Sequence, residues 1–337
     1  MNRREFIRGA TGLSGAIVAP ALAAAPEPAK SAVPVARVAF VRTTERAAGV
    51  ARAIELLAPG RFDGRELFVK PNCNSADPAP GSTHPDTLTA LLRAIKALGA
   101  GPLVVGDRSG MGNTRATMEA LGVFRIARES GARAVVLDEL AADAWEVVQP
   151  PGSHWQRGFA LPRMVRGAGG VVQTCCLKTH GYGGHFTLSL KNSVGLAAKR
   201  VPGNAYDFMR ELHDSPHQRR MIAEINAAYR TDLVVLDGVE AFVRGGPDRG
   251  ERVAANVVLA ATDRVAIDAV GVALLRHFGT TPEVSRGAIF AQEQIARAAA
   301  LGVGVSGPDR IELVTGDRES SDFARKIRAI LDRAPAA

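Results

Sequence analysis

Short apolar runs alternate along this chain with longer segments whose apolar residues recur every three or four positions. Arg37–Arg42 reads as a strand and Glu45–Leu57 as a helix. Glu66-Leu67-Phe68-Val69 is a compact apolar run that ends at Lys70-Pro71-Asn72. A polar loop rich in Pro and Gly follows. Pro85 then takes a preferred first helical position, and Leu88, Leu91, Leu92 and Ile95 share one face as far as Gly99. Pro102–Val105, Ala134–Leu137, Val171–Leu177, Leu233–Leu236, Asn256–Ala260 and Ile311–Val314 read as further strands. Helical spacing covers Thr114–Gly122, Phe124–Ser130, Ile267–His277, Gly287–Leu301 and Phe323–Leu331. The alternation predicts an α/β fold with a largely parallel or mixed sheet flanked by helices. Trp145–Gly170 and Gly181–Pro216 break the rhythm. They allow two lobes around a cleft, with a boundary near 145–170 and a cleft loop or lid from the other stretch.

The first residues read as an address. Arg3-Arg4-Glu5-Phe6-Ile7 precedes an almost uncharged run from Gly9 to Ala25, and Ala21-Leu22-Ala23 offers a small-x-small cleavage pattern. The paired arginines predict a twin-arginine signal over residues 1–25 and a leader over 26–36. The run is too short and too rich in Gly and Ala to span a membrane comfortably. The expectation is therefore a periplasmic or otherwise exported protein. Its partner in transit would be the twin-arginine machinery, and the mature chain would have no stable membrane span. One α/β domain would occupy residues 37–316, with a C-terminal helix and tail over 317–337.

Composition narrows the classes further. The 337 residues are 46% hydrophobic, enough for a sizeable core. A net charge of +8 favours anionic partners. Aromatic residues are only 5% and no dense Lys/Arg block appears, which argues against nucleic-acid binding. Three cysteines are too few for a disulfide scaffold or a Cys-only iron–sulfur cluster. No Gly-x-Ser-x-Gly elbow or His-Glu-x-x-His motif is present.

The chemistry candidates follow strands. Lys70 at a Pro-fixed corner could hold a carboxylate or phosphate, with Asn72 orienting it. His84 precedes the Pro-started helix and could act as acid, base or ligand. Gly106–Thr114 could cradle an anion, although it lacks Walker and GxGxxG spacing, and Asp107 within it could bind a cation. The densest group is Cys175-Cys176-Leu177-Lys178-Thr179-His180, then Gly181-Tyr182-Gly183-Gly184-His185, then Ser189, Lys191 and Asn192. If Phe186–Ala197 is helical, His185 and Ser189 stand one turn apart. Lys178, His180, His185 and Lys191 would then converge for proton transfer on an anion. Buried structural roles are expected for Cys175 and Cys176. His213 and His217 either flank the cleft or sit on an exposed loop, since Pro216 separates them. Asp237 and Asp263 end strands and could ligate a metal, whereas Asp268 could support a helix start. Each candidate also has a structural alternative: a surface lysine, a satisfied histidine or a capping carboxylate.

The order of several motifs resembles the DUF362 family. They are Phe68-Val69-Lys70-Pro71-Asn72, Val104-Val105-Gly106-Asp107, Leu177-Lys178-Thr179-His180 and Leu190-Lys191-Asn192-Ser193-Val194-Gly195. Asp237-Gly238, Thr262–Ala269 and the stretch from Gly302 to Gly316 follow. The resemblance implies an α/β domain with Lys70, Lys178, His180, Lys191 and Asn192 as its leading site candidates. Some relatives carry ferredoxin-like cysteine clusters; this chain has none, so an iron–sulfur role is not carried over. Two readings stay open. One is an exported enzyme on a small anionic metabolite, using Lys178, His180 and His185 catalytically and Lys70, Asn72, Lys191 and Asn192 to bind. The other is a non-catalytic protein that binds a small ligand or a metal. A divalent metal, held by His84, Asp107, Asp237 and Asp263, belongs to either reading, and the cofactor is otherwise unknown.

Overall fold

Strand residues one apart face opposite sides of a sheet, and this alternation sorts the apolar side chains into layers. The computed structural model describes residues 35–333. The expected signal peptide, almost all of the leader and the end of the tail lie outside them. The chain runs β1 (Ala36–Arg42), α1 (Arg46–Leu57), β2 (Leu67–Lys70), α2 (Pro85–Ala97), β3 (Leu103–Asp107), α3 (Thr114–Ala120), α4 (Val123–Glu129) and β4 (Arg133–Val136). A hairpin of β5 (Trp145–Val148) and β6 (Phe159–Pro162) leads through α5 (Arg163–Arg166) into the long β7 (Gly170–His180). Then come β8 (His185–Thr187), α6 (Ser189–Asn192), α7 (Phe208–Asp214) and α8 (Gln218–Asn226). The chain ends through β9 (Leu233–Gly245), β10 (Gly250–Ala261), α9 (Arg264–His277), α10 (Pro282–Ser285), α11 (Glu293–Ala300), β11 (Ile311–Val314) and α12 (Arg318–Leu331).

Nine strands form one mixed sheet in the order β11-β1-β10-β9-β7-β2-β3-β4, with β8 added to β7. Only β10 and β8 run against the rest. Val38 and Phe40 face one core with residues of α9, α11 and α12, whereas Ala39 and Val41 face another with residues of α1, α2 and α4. A third cluster gathers the β5–β6 hairpin, α7 and α8 around Trp155, Phe159 and Phe208. Among the described residues no helix is long and apolar enough to cross a membrane.

Several elements differ from the sequence expectation, two of them for a visible tertiary reason. Leu233–Leu236 is only the start of β9, which continues to Gly245 as a ribbon with β10. Asp237 is tolerated inside it because Arg46 Nε donates to its Oδ2 at 2.9 Å and Thr87 Oγ1 at 2.6 Å. The register between β7 and β9 slips at this point, between Cys176 and Leu177. The helix expected over Phe186–Ala197 is β8 followed by the short α6. Buried Asp268 on α9 starts α6 by accepting from Ser189 N at 2.8 Å and Leu190 N at 3.0 Å. His185 therefore lies on a strand, not one turn before Ser189. The helix expected over Gly287–Leu301 is shorter, covering Glu293–Ala300.

Candidate functional site

The strand order reverses between β2 and β7. The chain steps outward from β2 through β3 to β4, then returns to the other side of β2 as β7. In open α/β sheets the crevice beyond the carboxyl ends at such a point is the usual place for a ligand. Here β2 ends in Lys70, β3 in Asp107 and β7 in His180. A cavity of about 1320 Å³ opens above them.

The floor is a closed charge pair. Lys70 Nζ lies 2.6 Å from Asp107 Oδ1, and both side chains are almost fully buried. Lys70 also donates to Pro71 O at 2.7 Å and to Asn192 Oδ1 at 3.1 Å, which draws α6 onto the end of β2. Asp107 accepts from Cys73 N at 2.6 Å and Arg108 N at 2.7 Å. The backbone of Gly195 crosses directly over this pair. A Cβ there would come within 2.6 Å of Asp107 Oδ1 and 2.8 Å of Lys70 Nζ. Asn72 lines the cavity beside the pair, and its Nδ2 is buried with no hydrogen-bond partner among the described residues.

The wall carries the reactive groups. Lys191, on α6, is 7% exposed and faces the cavity. Among the described residues it forms no ion pair, and the charges that act on it, Lys178 and Arg108, are both cationic. Burial first, and these cations second, push its ammonium down to about 7. His180 lies close by. Its Nδ1 accepts from Tyr182 N at 3.2 Å, so the neutral ring carries its proton on Nε2. Burial, then Lys191 and Lys178, hold this imidazole well below its ordinary range. Gly184 makes room for both groups: a Cβ there would meet Lys191 Cε at 2.5 Å and His180 Nδ1 at 3.1 Å. His213 on α7 lines the opposite part of the cavity. Its Nδ1 lies 2.6 Å from Met209 O and must donate to that carbonyl, which leaves the Nε2 lone pair free. Burial lowers His213 as well. Seven Lys and Arg side chains line the cavity against three carboxylates, of Asp107, Asp138 and Asp207.

Of the residues singled out in the sequence, Lys70, Asn72, Asp107, His180, Lys191, Asn192 and His213 line this one cavity. Lys178, His185 and His217 do not. Lys178 is fully buried and donates to Gly81 O and to Pro247 O (2.9 Å), tying two loops together. Burial takes its ammonium down to about 8. His185 pairs with His180 across β7 and β8, but its charged neighbours are Arg219, Glu283 and Glu293. His84 is the N-cap of α2, its Nδ1 accepting from Asp86 N at 3.1 Å. Thr83 instead accepts from Asn72 N at 2.7 Å. Asp237 is held by Arg46 and Thr87, as above. Asp263 caps α9 through Ala266 N at 2.8 Å and also accepts from Val305 N at 2.8 Å. The four metal candidates thus hold separate structural positions. Among the described residues no three His, Cys, Asp or Glu side chains are grouped to hold a metal ion.

Arg108, inside the Gly106–Thr114 stretch, and Lys199, Arg200, Arg210 and Arg219, which no motif marks, also line the cavity. Arg108 is buried, with Nε donating to Ala197 O at 2.9 Å and Nη2 to Val194 O at 2.5 Å. The others sit in or near the stretch from Gly181 to Pro216, whose broken rhythm was the only signal. Cys175 and Cys176 are buried, and burial raises both thiols, Cys176 to about 12.

The family model described as "Domain of unknown function (DUF362)" matches residues 67–273. No curated protein matches the chain. Among solved structures it is similar to the lactate racemase apoprotein from Thermoanaerobacterium thermosaccharolyticum. The identity is 13%, the TM-score 0.41, and the match covers 90% of this chain and 87% of that one.

Proposed function

The chain belongs to the DUF362 family, and from that premise we propose that it is an enzyme acting on a small anionic metabolite by proton transfer. One observation carries this reading: Lys191, His180 and His213 face a single cavity whose lining is predominantly cationic. The cations attract and hold the anion. The three groups near it are an amine free of carboxylate partners, an imidazole N–H donor and an imidazole lone-pair acceptor. Such a set can move protons at neutral pH, because the lowered histidines are neutral there and a lysine brought down to about 7 exchanges readily between its two forms. Asn72, whose Nδ2 has no hydrogen-bond partner among the described residues, serves binding, and Lys70 and Asn192 support it by holding the floor and α6 in place.

The test is hydrogen exchange at carbon. Small carboxylic and phosphorylated acids are incubated with the protein in deuterated water and followed by NMR. Exchange or turnover that disappears in His180→Ala, with the fold retained, is the expected result. Stoichiometric binding with neither exchange nor turnover would instead establish a non-catalytic ligand-binding protein.

We also infer export by the twin-arginine route. The Arg3-Arg4 pair, the uncharged run to Ala25 and Ala21-Leu22-Ala23 support it. Expression with the native N-terminus should deliver a processed periplasmic protein, and Arg3→Lys with Arg4→Lys should hold it in the cytoplasm. Equal distribution of the two forms would overturn this reading.

A further inference from the structure

We propose that Lys191 is a covalent attachment point, its Nζ condensing with the carbonyl carbon of an α-oxo acid to form an imine while the acid's carboxylate rests on the cationic wall. This rests on the reading of the cavity as an enzyme site and assigns its substrate class.

Three lysines are buried around the carboxyl ends of β2 and β7, and among the described residues only one lacks acceptors. Lys70 meets Asp107, Pro71 O and Asn192, and Lys178 meets Gly81 O and Pro247 O. Lys191 is buried to a similar degree but meets neither carboxylate nor carbonyl among the described residues. A buried ammonium without partners is costly, and the group relieves that cost by giving up its proton. A desolvated amine beside other cations is the arrangement that makes a lysine a nucleophile toward carbonyl carbon. Structural burial alone does not account for Gly184, whose missing Cβ leaves space at Lys191 Cε and at His180. Nor does it account for the open cavity at Nζ.

The ligand class follows from what surrounds the amine. The electrophile must be uncharged at carbon yet attached to an anion that the lining can hold. A carbonyl beside a carboxylate has both properties. Asn72 lines the same cavity and its Nδ2 has no partner among the described residues, so a turn of its side chain would offer a hydrogen bond to that carboxylate. The lone pair of Nζ attacks the carbonyl carbon and forms the C–N bond. The π pair moves to oxygen, which His180 Nε2–H stabilises by a hydrogen bond. One Nζ proton passes to the free Nε2 of His213, directly or through water, and from there to that oxygen, giving the carbinolamine. The second Nζ proton follows the same route to the hydroxyl, which leaves as water; C=N remains and both histidines return to their neutral forms. One amine and one carbonyl give one imine and one water, and nothing is oxidised or reduced.

The experiment traps that imine. The processed chain is incubated with pyruvate, oxaloacetate or phenylpyruvate and cyanoborohydride, then measured by intact mass and peptide mapping. The expected result is one reduced adduct per chain, on the peptide that holds Lys191, and none without reductant. Lys191→Met should lower labelling by at least about tenfold. Mapping on the wild-type chain needs no variant, so a poorly folding substitution does not blunt the test. Adducts spread over other lysines, or none with any of the three acids, would overturn the proposal. Ligand-observed NMR with the same acids separates the two levels. Binding without an adduct removes the imine and keeps the anion cavity, whereas the absence of both removes the cavity reading too.

Discussion

Lys70, Lys178 and Lys191 have similar burial and different surroundings, so their substitutions should have different effects. Lys70→Met leaves the Asp107 carboxylate buried without its cation. A loss of about 3–5 kcal/mol in urea unfolding is expected. Lys178→Met leaves two loop carbonyls unpaired, which should cost about 1–3 kcal/mol. Lys191→Met removes a charge that the fold does not compensate. Its ammonium falls to about 7 in the folded chain, against about 10.4 when unfolded. Between these values the unfolded state binds more protons, so wild-type stability rises with pH across that window. Below it both states are protonated and the buried charge is fully penalised. Burial sets this first, then Lys178 and Arg108; His180 and His213, which Lys191 lowers in turn, stay neutral across the window. Lys191→Met should therefore exceed wild type in stability most at about pH 6 and progressively less toward about pH 9. Urea melts at several pH values would show this, and a pH-independent difference would contradict it.

At the scale of elements, α6 is too short to hold its own direction. Asp268, reaching from α9 to Ser189 N and Leu190 N, aims it, and Asn192 anchors its other end to Lys70. Asp268→Ala orphans two buried N–H groups and should cost about 1–3 kcal/mol. It should also lower turnover, because Lys191 loses its fixed position. The β7–β8 turn makes a complementary case. Gly184→Ala would force the flexible end of Lys191 aside rather than any backbone. Thermal unfolding should hardly change while hydrogen exchange falls by about tenfold. A large loss of melting temperature in this variant would mean that the glycine serves the fold.

For the whole molecule, the mixed sheet brings cations from distant segments to one opening. Arg200, Arg210 and Arg219 come from the chain between β8 and the start of α8, Arg108 from the loop after β3. Exposed charges are screened within a Debye length, about 10 Å at 0.1 M salt. Affinity for a small acid should therefore fall several-fold between low and high salt, while the uncharged amide of that acid shows little change. Calorimetry at two ionic strengths would check this, and equal salt response would deny the cationic wall its role.

The alternating apolar runs were sufficient to predict a parallel or mixed α/β sheet, because strand and helix periods are local properties of the chain. The motifs ending in Lys70, His180 and Lys191 were legible for the same reason: charged residues where apolar strands stop, or beside closely set glycines, are visible without coordinates. The partners of those residues were not legible. Only the tertiary structure decided that Lys70 is neutralised by Asp107 across two strands, that Lys178 holds loops, and that Lys191 has no partner among the described residues. It also made His185 a strand residue, Asp237 part of a ribbon, and His84 and Asp263 helix caps. The residue type and its spacing determine what a side chain can do. Burial and contacts far along the chain decide which proton it keeps and therefore which chemistry is left to it.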